Sequence, residues 1–354
     1  MEEKKDTLGM LDLVIRPGFC VKENQIIKVN QAAESLFITP GTDVRPLLLT
    51  GSEEYAAFTG GCLYLTLNLS SHSCGASVTR VDDIDVFLLE QESDNGELRS
   101  MALAARELRE PLTNVMITAD SLFPLCAAES SPRTAEQVAR LNRGLFQILR
   151  IIGNMSDAER CAAVSHQETV DIPALFAEFF EKAETLVSHT GITLTYEGPD
   201  QPIYGLADRE QLERAVLNIL SNAIKFTPKG GTVTAKLTRS GRMLRLSVTD
   251  SGSGIAQSVR SSVFSRYLRQ PALEDSRYGI GLGMVLIRTA AAHHGGAVLI
   301  DQPDGAGTRI TMTMSIRQSK QATLRSNVLR VDYAGERDHG LIELSECLPT
   351  ELYE

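Results

Sequence analysis

Residues 212–231 read LERAVLNILSNAIKFTPKGG, and the reading of the whole chain turns on them. Leu212, Val216, Ile219 and Ala223 fall three or four apart and form the apolar stripe of a helix. Asn218, Asn222 and Lys225 follow the same rhythm on a different face. Asparagine is a poor helix former that prefers caps and turns, so two of them one turn apart need a reason. A carboxamide oxygen is a good hard ligand for a magnesium ion. A lysine one turn on can meet a phosphate. The plain alternative is a helix that happens to carry two amides, and the rest of the chain decides between them.

The chain has 354 residues, 43% hydrophobic and 23% charged, with a net charge of −10. That length supports two or three domains. The acidic balance, with no basic block, argues against nucleic-acid binding by bulk charge. No apolar run is long enough to span a bilayer, and the first residues do not form a signal peptide. The cysteines, 6 in all, include no CxxC pair, so free thiols in a reducing cytoplasm are expected.

Residues 1–92 read as a small α+β domain. Residues 11–15 and 26–29 are expected strands, Asn30 an expected helix cap, and Leu63, Leu65, Leu67 and Leu69 the buried side of a half-buried strand. The fragment IIKVNQAAESLF and the element order resemble a minimal PAS sensor domain. Residues 95–161 carry two apolar seams at alternating spacings of three and four. The first runs Leu98, Met101, Ala105, Leu108, Leu112, Val115, Ala119 and Leu122. The second runs Val138, Leu141, Leu145, Ile148, Ile152 and Met155. Together they predict an antiparallel helical hairpin that cannot bury both faces alone; a homodimer with a four-helix bundle is expected, the alternative being a hairpin packed on the chain's own other domains.

Residues 168–316 read as an α/β sandwich. An amphipathic helix over 170–187 leads in, Asp208 caps the opening helix, and strands are expected over 233–237 and 244–248. Asp250 then stands before Gly252 and Gly254, a carboxylate at a turn where backbone comes close to a ligand. Phe264 and Arg266 follow, then a polar stretch, then Gly279, Gly281 and Gly283 ahead of a helix over 284–293. A glycine-rich turn feeding a helix N-terminus is a phosphate cradle. The tail, 317–354, starts polar and ends with Leu341, Leu344 and Leu348 on one short helical face.

In order and spacing, the Asn box, Asp-x-Gly-x-Gly, Phe box and Gly-x-Gly-x-Gly resemble the catalytic domain of sensor histidine kinases. That domain belongs to the ATPase superfamily shared with gyrase, mismatch-repair and heat-shock chaperone ATPases. The resemblance implies ATP with Mg²⁺. Asn222 supported by Asn218 would hold the metal, and Asp250 would read adenine. Lys225, Arg266 and the glycine turns, Gly252 and Gly254 included, would serve the nucleotide. The segment ARELREPLTN at 105–114 likewise resembles the phosphoacceptor box of those kinases, except that Arg106 stands where they carry the phosphorylated histidine. A guanidinium has no free lone pair near neutral pH. Glu107, the family's acidic neighbour, would then have no imidazole proton to accept. Glu110 stands where the family usually carries Thr or Asn, and an Arg106–Glu110 pair is within reach along the helix.

The expectation is a cytoplasmic, dimeric histidine-kinase homologue that binds ATP-Mg as a pseudokinase and works with a response regulator or a partner kinase. Two alternatives stay open. One is an active kinase that phosphorylates a partner or an unusual acceptor such as His166. The other is a dimeric scaffold with a relic ATP site.

Overall fold

The computed structural model describes residues 9, 11–69, 72–90, 93–128, 132–163, 167–255, 263–264, 282–303, 307–318 and 337–353. Within the helical hairpin, the side chains of 93–99, 102, 106, 110, 120, 122–128, 132 and 157–163 lie outside that description.

The N-terminal part folds as strands β1 (Gly18–Lys22) and β2 (Gln25–Val29), short helices α1 (Gln31–Glu34) and α2 (Ser52–Ala56), then β3 (Cys62–Asn68), β4 (Ser73–Val81) and β5 (Ile84–Leu89). The expected strand over 11–15 is instead a single 3-10 turn, Leu11–Leu13. The cause is Asn30, which is buried. Its side-chain oxygen accepts from Gly18 N at 3.0 Å and from Ala33 N at 3.1 Å, the latter capping α1 as expected. Its amide donates to the carbonyls of Val14 (3.1 Å) and Arg16 (2.8 Å), which bends that segment back on itself. One side chain thereby holds both a cap and a turn.

Two long helices follow, α3 (Ser93–Ala128) and α4 (Pro132–Ala163), packed as a hairpin. The helix α3 runs through Pro111 without ending. Then come β6 (Glu168–Asp171), α5 (Ile172–Val187), β7 (Thr193–Glu197), β8 (Tyr204–Ala207), α6 (Arg209–Phe226), β9 (Thr232–Ser240) and β10 (Met243–Asp250). The described elements finish with α7 (Leu282–His293), β11 (Val298–Asp301), β12 (Arg309–Ser315) and α8 (His339–Glu343).

One ten-stranded sheet, in the order β2-β1-β5-β4-β3-β11-β12-β10-β9-β7, runs through both α/β parts of the chain. The junction is antiparallel pairing of β3 with β11, with Leu63 opposite Leu299 and Tyr64 opposite Val298. Gly61 enters this junction at φ +91°, with the Ile300 carbonyl where a Cβ would stand, so only glycine fits. The strand β3 is not half-buried, because something packs on each of its faces. Leu63, Leu65 and Leu67 face the N-terminal core with Phe19 and Phe87. Cys62 and Tyr64, on the other face, belong to the larger core under the helices.

That larger core takes residues from α4, α5, α6, α7 and the C-terminal segment. The hairpin contributes Ala105, Leu112, Met116 and Ala119 from α3, and Leu145, Phe146, Leu149 and Ile152 from α4. Four of the predicted seam residues, Leu108, Val115, Leu141 and Ile148, stay about half exposed in the single chain (51%, 51%, 54% and 47%). In the tail, α8 is capped by Asp338, whose carboxylate accepts from Leu341 N, and Ile342, Leu344, Leu348 and Tyr353 are buried.

Candidate nucleotide site

The helix α6 is built as its sequence dictates. The Asp208 carboxylate accepts from Gln211 N at its first turn. The Asp208 N–H donates to Nε2 of His294, whose Nδ1–H donates to the Ala290 carbonyl (2.7 Å). This fixes the His294 tautomer and ties the start of α6 to the end of α7. Burial pushes the His294 pKa down; the Ala290 carbonyl and Asp208 act against it.

One face of α6 buries Leu212, Val216, Ile219 and Ala223 in the core. The other face carries Arg214, Asn218, Ser221 and Lys225 at helical spacing. Asn218 is buried, 1% exposed. Its amide donates to the Arg214 carbonyl at 2.9 Å, as an intrahelical back-bond. Its carboxamide oxygen has no hydrogen-bond partner. That oxygen lies 2.8 Å from where a Cβ on Gly283 would sit. Asn222 is partly buried, with its amide 3.8 Å from the Met284 sulfur. The Asn box and the first turn of α7 therefore face each other.

Asp250 ends β10, 7% exposed. Its Oδ1 accepts from the N–H groups of Gly252 (2.8 Å) and Thr308 (3.1 Å). Burial raises the carboxyl pKa, while these two donors favour the charged form and hold its orientation. Gly252 lies against the Phe226 carbonyl at the end of α6, and Gly254 takes φ +74°. Phe264 is buried against the Tyr64 ring, centroids 5.5 Å apart.

The structure thus brings together Asn218, Asn222 and Gly283, and places Asp250, Gly252 and Gly254 at the adjoining strand end. Arg266, Gly279, Gly281 and His166 lie outside the described residues. So do the side chains of Arg106 and Glu110, and with them the expected salt bridge. Glu107 is exposed on α3, and no described hydrogen bond or ion pair joins it to the α6 residues. Its neighbour Arg109 donates to Ser156 Oγ across the hairpin at 3.2 Å.

Lys225 does not stand open. Its ammonium meets Glu346 at 2.8 Å. Arg150 from α4 contacts the same Glu346 at 3.1 Å, Glu343 at 3.3 Å and Ser221 Oγ at 3.1 Å. Arg214 meets Glu343 at 3.2 Å and Asn154 at 2.7 Å. Asn218 donates to Glu343 at 3.4 Å. Sequence reasoning missed Arg150, Arg214, Glu343 and Glu346. A signal was present: Arg143, Gln147, Arg150 and Asn154 form a polar stripe at spacings of four, three and four along α4.

The family model described as histidine kinase-, DNA gyrase B- and HSP90-like ATPase matches residues 207–318. An uncharacterised sensor-like histidine kinase of Rhizobium meliloti is 28% identical over 276 residues, 73% of this chain and 52% of that protein. The chain is a sensor histidine kinase homologue with an ATPase domain of this type. The adaptive-response sensory kinase SasA of Crocosphaera subtropica is 26% identical over 246 residues, 66% of this chain and 64% of its own. The chain spans about half the length of the first of these relatives. Among solved structures, full-length ShkA in complex with AMPPNP shares the fold at a TM-score of 0.51 and 24% identity, over 62% of this chain and 46% of that one. Among the described residues no helix is long and apolar enough to cross a membrane, and no group of three or more His, Cys, Asp or Glu side chains forms a metal cluster.

Proposed function

We propose that this homologue is a two-component signalling protein that binds ATP with Mg²⁺ and lacks autophosphorylation at the usual position. The observation that carries the nucleotide reading is the buried, unpartnered Asn218 oxygen facing Gly283. A buried carboxamide oxygen without a partner costs about 1–3 kcal/mol, which a ligand bound there recovers. Asn222 with Asn218 would hold the metal, Asp250 the adenine amino group, and Lys225 and the glycine turns the phosphates. The AMPPNP complex of the structural relative supports the same ligand class. When bound, the nucleotide would supply a transferable γ-phosphoryl group.

The pseudokinase reading rests on Arg106, whose guanidinium is not a phosphoryl acceptor. Residues 1–92 serve in this reading as a PAS-like sensor, supported by the strand order β2-β1-β5-β4-β3. Residues 95–161 serve as the dimerisation hairpin, supported by the half-exposed Leu108, Val115, Leu141 and Ile148. The partner class is a response regulator or a second histidine kinase.

The test combines binding and labelling. MgATP should raise the melting temperature of the wild type and leave Asn222→Ala and Asp250→Ala unmoved. The wild type should retain no acid-labile, base-stable ³²P. Label on the wild type would refute the pseudokinase reading and favour a kinase with an unusual acceptor. Absence of any thermal shift would leave only a scaffold with a relic site.

A further inference from the structure

The C-terminal segment 338–353 crosses the Asn-box face of α6. Glu343 is fully buried, 0% exposed, inside a cradle made by Arg150, Arg214 and Asn218. Glu346 sits between Lys225 and Arg150. Burial pushes the Glu346 carboxyl up, but these two cations outweigh it and hold the pKa below the usual range. Burial likewise works against the Arg150 charge, and the two carboxylates overcome it. The backbone of the segment is gripped from α4 as well. Arg143 donates to the carbonyls of Ser345 (2.8 Å) and Glu346 (3.0 Å), and Asn142 to the carbonyl of Tyr353 (2.9 Å). Leu344 and Leu348 are buried, and the Tyr353 ring packs edge-on against Phe146.

Two carboxylates three residues apart, each held by two cations, on the face that carries Asn218 and Lys225, have the charge of a polyphosphate. We propose that Arg150, Arg214 and Lys225 form a polyanion cradle for the nucleotide phosphates, and that Glu343 and Glu346 occupy it as an internal mimic, so that strap and MgATP exclude each other. This rests on the nucleotide reading above and adds two things to it. Arg150, from the hairpin, and Arg214, one turn before Asn218, become phosphate contacts. The tail becomes an autoinhibitory strap. Releasing it would remove the Glu343 and Glu346 carboxylates from Arg150, Arg214 and Lys225. Three converging cations favour a polyanion over a single anion. The competition also couples nucleotide to the hairpin, because the strap is gripped mainly by α4.

The experiment uses the full chain. Hydrogen exchange over 338–353 is followed with and without saturating MgATP, and MgATP affinity is measured by calorimetry for wild type, Leu348→Asp and Arg143→Ala. MgATP should speed exchange of the strap amides at least tenfold. Leu348→Asp, which unseats the strap without touching the cradle, should tighten MgATP at least tenfold. If that variant does not fold, Arg143→Ala, which loses two bonds to strap carbonyls, should tighten it two- to fivefold. Arg150→Ala in the released background should weaken MgATP tenfold and leave adenosine unchanged. Equal affinity in wild type and released chains, abolished by Asp250→Asn, with strap exchange unmoved by nucleotide, would overturn the strap while leaving the nucleotide site standing. No binding in any variant would overturn both.

Discussion

Replacing Arg288 with methionine probes the joint between the two α/β parts of the sheet. Arg288 lies on α7, 4% exposed. Its guanidinium meets Glu90, just beyond β5, at 2.5 Å as a charge contact not aligned as a hydrogen bond. It donates to the Phe264 carbonyl at 3.0 Å and lies 4.9 Å from the Tyr64 ring centroid. The Tyr64 hydroxyl in turn donates to Glu90 at 3.0 Å. Methionine keeps the apolar stem and removes the charge. Breaking one side of a buried ion pair costs about 3–5 kcal/mol, because the remaining charge is left uncompensated. Glu90 keeps 24% of its side-chain surface, so solvent recovers part of this and the low end, about 3 kcal/mol, is the expected loss. The assay is urea denaturation of wild type, Arg288→Met, Glu90→Gln and the double variant. The double-mutant cycle should give a coupling of at least about 1 kcal/mol, since the partners touch. A single-variant loss below about 0.5 kcal/mol, the range of ordinary surface changes, would refute the reasoning. So would strict additivity in the cycle.

Four further outcomes follow from the same geometry. At a hundredfold excess over its dissociation constant, MgATP should stabilise the strap-released chain by about 2.7 kcal/mol, read as a thermal shift that Asn222→Ala removes. His294 is buried neutral with a depressed pKa. The unfolded chain therefore binds the proton first as pH falls below about 6.5, and stability should drop from there downward. The urea midpoint at pH 7.5 and 5.5 checks this, and His294→Asn should flatten the slope. Leu108→Asp or Ile148→Asp, at half-exposed seam positions, should convert a homodimer to monomer in sedimentation without unfolding the hairpin. Gly61→Ala, at φ +91° against the Ile300 carbonyl, should destabilise by more than about 1 kcal/mol in thermal denaturation, since the turn is incompatible with a Cβ.

The long helices and several strands could be read from the sequence because their signals are local. The apolar spacing of Leu212, Val216, Ile219 and Ala223 lies within one helix, and the Asp208 and Asn30 caps act within three residues of themselves. The spacing of Asn218, Asn222 and Lys225 was legible for the same reason, since all three lie within one helix. Local signals could not say what covers an element. The alternation of Leu63, Leu65 and Leu67 reports one buried face of β3. The other face, with Cys62 and Tyr64, is covered by elements distant in the chain, with Phe264, and Arg288 of α7, packed on the Tyr64 ring. Likewise residues 11–15 carry the apolar residues of a strand, but Asn30 captures their carbonyls into a turn.

The tail shows most sharply what a local reading passes over. Leu341, Leu344 and Leu348 announce a helical face, and the stripe Arg143, Gln147, Arg150 and Asn154 announces a polar one. Neither names the other, because matching them requires bringing residue 150 to residues 343 and 346. Glu343 next to Arg150 and Arg214 is a pairing of charges that tertiary structure alone creates. Once it exists, its energetics are demanding. A fully buried carboxylate is tolerated only with its cations in place, and removing either partner leaves a buried charge worth about 3–5 kcal/mol. A chain that needed only to anchor its tail had a cheaper solution in apolar residues of the same volume, which often match or exceed a buried ion pair in stability. Two glutamates on the Asn-box face, beside Asn218 and Lys225, make sense where the cations must also be available to something else of like charge.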